Sequence, residues 1–396
     1  VARLQYHMRA EDQGIGFDLE LDANASLTAV GAVTHQREFR RNPKGSAQAA
    51  LSDLDDFSVK ASFVFGHNIL WHDLPWLARH APGLGLLQKP AIDTLVLSAI
   101  AFAEHPYHAL LKDYKVVRDA VNDPVADAHI AARLLHDALQ RLREISAANP
   151  TFGRVVRSLG ERGLAAISPQ ASEGFAMAFE DVAPPTADLD GDLVTLLGGR
   201  TCLPAVESWL PLAQQPAETC LALLFAVAWL QVAGTHDATS PSVVMPWVRR
   251  QLPLVTRLLR ELRDVPCDRT GCVWCREVHD PVAQLRRWFQ HDDFRSTPTL
   301  KNDHRPAQRA IVDAGFADRP HLALLPTGGG KSLCFQLPAI NRYLRRGCLS
   351  IVISPLQSLM HDQVDNFVKK TNAQCAVALT GRLTPPERRA TLEAVR

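Results

Sequence analysis

Short β-rich runs open the chain. Residues 16–21 and 27–34 predict two strands, joined by the polar turn Asp22-Ala23-Asn24-Ala25. A third run, 62–65, ends at Gly66. From Asp73 the apolar period lengthens to that of helices. Over 124–148, Ala128, Ala131, Leu135, Leu139 and Leu142 recur on one face of a helix. Strands first and an amphipathic helix last predict an α/β domain over residues 1–149. Residues 150–263 predict mostly helix, interrupted by Ala183-Pro184-Pro185-Thr186 and ending in the basic stretch 247–263. They carry no evident chemistry and read as a helical linker or platform.

The texture changes again near residue 283. A helix is predicted over 281–289, and helices over 331–345 and 356–368. The apolar runs 321–326, 349–354 and 375–379 are predicted as buried strands between them. Alternating strands and helices imply a parallel sheet with helical crossovers.

Bulk properties narrow this picture little. A chain of 396 residues is expected to hold two or three domains, since single cores rarely grow past ~250 residues. With 43 basic and 42 acidic residues, any nucleic-acid groove must be local. The longest apolar run, Cys220 to Leu230, is shorter than the ~20 residues a bilayer span needs and predicts a buried helix. No signal peptide opens the chain, and eight mostly scattered cysteines fit a reduced, cytoplasmic compartment. A start at Val1 and an end at Arg396 are expected of a piece of a longer protein.

The sharpest chemical signal is Thr327-Gly328-Gly329-Gly330-Lys331-Ser332, set between an apolar run and a helix. Glycines let successive N–H groups curl around a phosphate, and the following helix adds its positive end. Lys331 is placed to reach the β- and γ-phosphates of ATP, and Ser332 to hold Mg²⁺. The usual first glycine of the motif is Leu325 here.

A second signal is a set of carboxylates. Asp18 and Glu20 lie two apart on a predicted strand, hence on one face. With Asp73 and Asp127 they make four carboxylates of the kind that two-metal phosphodiester hydrolysis needs, with Mg²⁺ or Mn²⁺. A third is Cys267, Cys272, Cys275 and His279, spaced C-x4-C-x2-C-x3-H, which suits tetrahedral Zn²⁺ or an iron–sulfur cluster. His279 also stands where a helix cap before Asp280-Pro281 would be. Cysteines 202, 220, 334, 348 and 375 lie in apolar contexts and are expected in the core.

The segments 325–339 and 354–364 closely resemble the RecQ family of ATP-dependent DNA helicases. Phe294-Arg295 and Arg305-Pro306-Ala307-Gln308 resemble its adenine-reading segment, with residues 296–304 inserted between them. The resemblance covers about 281–396. It implies that Gln308 reads the base, that Thr327, Gly328, Gly329, Gly330, Lys331 and Ser332 bind ATP, and that Ser354, Pro355, Gln357 and Ser358 touch single-stranded DNA. No Asp-Glu-Ala-His-type box follows, so this piece is expected to bind ATP without useful hydrolysis.

The segments 17–20, 66–77 and 122–128 resemble the DEDD family of 3′–5′ exonucleases, over about 12–145. That resemblance implies an RNase H-like fold with Asp18, Glu20, Asp73 and Asp127 as catalytic residues, and a DNA strand with a free 3′ end as partner. The family's general base, a His or a Tyr, is replaced here by Asn122 or Asp123. The expected architecture is therefore α/β. A nuclease-like domain spans 1–149, a helical region 150–263, a metal knuckle 264–282 and the first part of a P-loop, RecA-like helicase lobe 283–396. An inactive nuclease fold that tethers a DNA end to the motor is the alternative. A P-loop ATPase that remodels protein fits residues 354–364 less well.

Overall fold

The computed structural model describes residues 13–43, 47–105, 108, 123–214, 218–233, 244–302, 304–373 and 375–393. The chain divides into two compact units, Val1–Leu196 with Leu210–Ala228, and Leu197–Trp209 with Trp229–Arg396.

The first unit is built on one five-stranded sheet. Its strands are β1 (Gly14–Leu21), β2 (Leu27–Val33), β3 (Glu38–Arg41), β4 (Phe63–Gly66) and β5 (Ala91–Asp93), in the order β3-β2-β1-β4-β5. β1 pairs antiparallel with β2 and parallel with β4; β2–β3 is antiparallel and β4–β5 parallel. The β1–β2 turn forms because Asp22 Oδ1 accepts from the amides of Asn24 and Ser26, at 2.8 and 2.9 Å. Ile15, Phe17 and Leu19 are buried along β1, which leaves Asp18 and Glu20 on the other face, half-buried.

Helix α1 (Ala47–Ser58) lies between β3 and β4 and α2 (Asp73–His80) between β4 and β5, while α3 (Thr94–Ala101) and α4 (Pro124–Ala148) come after β5. α4 packs on β1 and β2 through the expected face, with Ala128, Ala131, Leu135, Leu139 and Leu142 all buried. Asp123 caps it and Pro124 starts it. The unit runs on through α5 (Pro150–Ala165), α6 (Pro169–Ala178) and α7 (Leu189–Leu197). α6 packs on β5, where Gly174 approaches the Ala91 backbone so closely that a Cβ would lie 2.1 Å from its carbonyl oxygen.

α8 (Leu203–Ala213) and α9 (Glu218–Val232) contribute residues to both units. Every residue from Cys220 to Leu230 is buried, as expected. No helix among the described residues is long and apolar enough to cross a membrane.

The second unit continues with α10 (Pro246–Gln251), α11 (Leu254–Arg263), α12 (Val273–Val278), α13 (Pro281–Phe289), α14 (Ala307–Phe316), α15 (Lys331–Arg346), α16 (Gln357–Thr371) and α17 (Pro385–Glu393). Leu285, Phe289, Phe294, Val312, Leu337 and Ile340 form its main apolar core. The predicted buried strands are corrected here. Residues 321–326, 349–354 and 375–379 join no ladder among the described residues. Leu322, Leu324, Ile351 and Ile353 are 80–92% exposed. An apolar run encodes a need for burial, but a parallel strand is buried only when neighbours pair on both edges and helices cover both faces.

Candidate functional site

The phosphate loop has the backbone its glycines allow. Gly328 and Gly330 adopt φ of 76° and 77°, in the left-handed region, and the Gly329 amide donates to the Pro326 carbonyl at 3.0 Å. Gly330 caps α15, so the loop runs directly into a helix N-terminus. Lys331 is exposed and Ser332 half-buried at that start.

Two upstream residues grip the loop. Gln308, 3% exposed at the head of α14, donates from Nε2 to the Gly330 carbonyl at 3.2 Å. Its Oε1 accepts from the Arg295 amide at 3.0 Å, and the Arg295 guanidinium donates to the Gly328 carbonyl. The inserted residues 296–304 fold back on themselves. Leu300 N–H bonds Arg305 O and Ala307 N–H bonds Pro298 O, each at 2.8 Å. The insertion is thus looped out, and Phe294-Arg295 returns beside Gln308.

Residues 354–358 lie at the start of α16. Ser354 is half-buried, while Pro355, Gln357 and Ser358 are exposed. Gln336 of α15 donates to Gln363 of α16 at 3.2 Å, which links the phosphate-loop helix to this segment's helix.

In the first unit, carboxylate oxygens of Asp18, Glu20 and Asp127 lie within 4.8 Å of one another. Strand alternation supplies the first two. Asp127 arrives because Gly31, opposite Asp18 in the sheet, lets the start of α4 touch β2. A Cβ on Gly31 would sit 2.4 Å from Val125 N and 2.5 Å from Pro124 C. Asp73 stands outside that trio and is 2% exposed; its Oδ1 accepts from the Leu19 amide at 3.0 Å. Burial raises its carboxyl above the usual range. His72 lies 3.4 Å from Asp73, and this carboxylate, with Asp18 and Glu20, holds its imidazole above the ordinary value.

The expected base position Asn122 lies outside the described residues. Asp123 accepts from the Val125 and Ala126 amides and pairs with Arg40. Desolvation raises it, but Arg40 and those amides together outweigh that and hold the carboxyl below its usual range. His129 pairs with Glu38 at 2.7 Å. His67 is bonded to Thr94 at 3.0 Å, and burial pushes its imidazole down to about 4.

The cysteine set requires a correction. Sulfurs of Cys267, Cys272 and Cys275 lie within 4.8 Å of one another and of Cys202 Sγ, and His279 is not in the group. His279 ends α12 with Nε2 buried and without a hydrogen-bond partner among the described residues. Its imidazole is lowered by burial and by Arg345. The residue expected as plain core, Cys202, sits at the fourth corner instead. Sequence spacing favoured the nearest donor, whereas the fold brings Cys202 Sγ to 3.9 Å from Cys272 Sγ.

Residues 305–395 match the DEAD/DEAH box helicase family model. This last quarter of the chain is similar to helicases of the RecQ type. It is similar to the ATP-dependent DNA helicase RecQ of Synechocystis sp., 42% identical over 108 residues, which is 27% of this chain and 19% of that protein. ATP-dependent helicase SGS1 of Saccharomyces cerevisiae is 44% identical over 87 residues, 22% of this chain and 6% of its own length. ATP-dependent DNA helicase Q4 of Homo sapiens is 40% identical over 92 residues, 23% of this chain and 7% of its own length. The match thus spans less than a fifth of each relative. No solved structure matches.

Proposed function

We propose that the chain is the N-terminal part of an ATP-dependent, RecQ-like DNA helicase. In this reading Gln308 selects adenine, the loop 327–330 cradles the phosphates, and Lys331 and Ser332 meet the β,γ-phosphates and Mg²⁺. Ser354, Pro355, Gln357 and Ser358 contact the backbone of single-stranded DNA. The observation that carries it is the closure of Arg295 and Gln308 onto Gly328 and Gly330, which couples a base-reading residue to the phosphate loop.

Titration with a fluorescent ATP analogue and Mg²⁺ tests it. Lys331→Ala should weaken binding by about tenfold or more, because a charge-assisted phosphate contact is lost. Equal binding by the two proteins contradicts the assignment.

A second reading concerns the first unit, which we read as an RNase H-like, DEDD-type 3′–5′ exonuclease domain. Its support is the strand order β3-β2-β1-β4-β5, antiparallel from β3 to β1 and parallel from β1 to β5, and the convergence of Asp18, Glu20 and Asp127. Those residues would hold Mg²⁺ or Mn²⁺, whose charge serves phosphodiester hydrolysis, with Asp73 fixed behind them by the Leu19 amide. The inactive, DNA-end-tethering form of the same fold remains the alternative, because Asp123 is committed to its cap and to Arg40. Metal-dependent shortening of a 3′-labelled single strand, lost in Asp18→Ala and Glu20→Ala, supports activity. Mn²⁺ binding without shortening supports the tether.

Gly31→Val offers a separate check on the cluster. The three nearest atoms a Cβ would meet are all backbone and cannot swing aside, so α4 must shift and carry Asp127 away from Asp18. Mn²⁺ affinity, read from the paramagnetic resonance of the free ion, should fall by about tenfold or more. ATP-analogue binding should be unchanged. Unaltered Mn²⁺ affinity would show that Asp127 is not a ligand.

A further inference from the structure

The helicase reading leaves the four cysteines unused. They come from two stretches of the second unit. Cys202 precedes α8, while Cys267, Cys272 and Cys275 lie in and just before α12. Buried cysteines often serve as small apolar side chains. That role gives no reason for four of them to converge from two stretches 65 residues apart in sequence (202 to 267).

The spacing of the sulfurs is informative. Cys272 Sγ lies 3.9 Å from Cys202 Sγ, and all four sulfurs fall within 4.8 Å. A disulfide needs about 2.05 Å, so these are not bonded pairs, and all four are free thiols. Four thiolates at about 2.3 Å from one ion in a tetrahedron stand about 3.8 Å apart. A four-iron cluster hangs each thiolate on a different iron and spreads the sulfurs wider than one ion does.

The surroundings are those of a metal knuckle. The Cys267 amide points at Cys275 Sγ at 3.3 Å, a bond that favours a thiolate. Trp274 and Val278 pack with the buried Cys202 and Cys272, and Cys267 and Cys275 are half-buried against them. The cluster is also anchored on both stretches. Cys202 N–H bonds Leu262 O at 2.8 Å, and Trp274 Nε1 bonds Arg263 O at 3.3 Å. Arg263 then stacks on Trp274 at 4.7 Å and donates to the Leu344 carbonyl at the end of α15.

We propose that Cys202, Cys267, Cys272 and Cys275 form a closed, four-thiolate zinc site. It would cross-link the segment before α8 to α12 and, through Arg263, to the helix that follows the phosphate loop. With all four positions filled by protein the ion has no open face for water or substrate, so its role is structural.

The test uses the whole chain, purified under reducing conditions without chelator and analysed for zinc, iron and inorganic sulfide. About one zinc per chain and negligible iron are expected. Cys202→Ala should lose most of the zinc, while His279→Ala should keep it. The reverse pattern overturns the ligand set, as does a metal-free wild-type chain. Iron with inorganic sulfide overturns the assignment to zinc.

Because Cys202→Ala can fail by misfolding, Co²⁺ is titrated into the demetallated chain and into Cys202→His. A tetrahedral visible spectrum is expected in both. The sulfur-to-cobalt charge-transfer intensity should be lower by about a quarter in the variant, which has three thiolates instead of four. Equal intensity removes Cys202 from the site. Hydrogen exchange of β1, in the other unit, serves as the folding control.

Discussion

Gly330→Ala is expected to lower ATP-analogue affinity about a hundredfold, while Gly328→Ala costs about tenfold or less. Both glycines have φ near +77°, at 77° and 76°, where an alanine pays roughly 1–2 kcal/mol. They differ in what surrounds them. At Gly328 a Cβ meets nothing within 4 Å. At Gly330 it would lie 2.3 Å from Gln308 Nε2, the atom that donates to the Gly330 carbonyl. Gln308 is buried and held at its other end by the Arg295 amide, so it cannot yield without breaking its own bonds to Arg295 and the loop. Each lost hydrogen bond of this kind costs ~1 kcal/mol or more, which adds to the backbone strain. Direct titration of the two variants decides it. Equal losses would mean that strain alone governs the loop and that the Gln308 contact is incidental.

Asp93→Ala should destabilise the first unit by about 3–4 kcal/mol. The Asp93 carboxylate is 3% exposed and takes the amides of Asn68, Leu70 and Leu95, at 2.9, 3.1 and 2.9 Å. It caps α3 and holds the turn in which Asn68 adopts φ of 67°. Removing it strands buried donors at ~1–3 kcal/mol each and deletes a helix cap worth ~1 kcal/mol, partly offset by relaxation. Amide exchange over residues 66–101 should quicken roughly a hundredfold or more. Protection equal to that of the wild type contradicts the cap.

The same group gives a pH dependence. Burial raises its pKa from 3.8 to about 6. The folded state therefore holds the proton more tightly than the unfolded one. The associated stability, about 3 kcal/mol, is present below about pH 4 and lost as pH rises to about 6. Asp93→Asn does not titrate, so the difference between it and the wild type at each pH should change over that window and flatten above it.

Much of the candidate nucleotide site rests on signals that are local. Consecutive glycines, a lysine and a serine next to a helix define a phosphate loop without knowledge of the rest of the chain. Asp18 and Glu20 were readable for the same reason, since strand alternation alone puts them on one face. What escaped was set by distant residues. The insertion 296–304 obscured Arg295, and only its hydrogen-bonded return shows that Arg295 meets Gln308. Gly31 looked like an ordinary strand residue until α4 was seen to rest on it.

The sequence by itself determined the order of the parts, the helices over 124–148 and 281–289, and the resemblance of the last quarter to RecQ-type helicases. Tertiary structure decided which residues meet. It brought Cys202 rather than His279 to the other three cysteines, carried Asp127 to Asp18, and left three apolar runs exposed where paired strands were expected. The reason is the same in each case. Periodicity and motif spacing record what neighbouring residues require, whereas a fourth ligand, a close helix contact or a strand's partner depends on segments tens of residues away, whose meeting only the packing of the whole unit fixes.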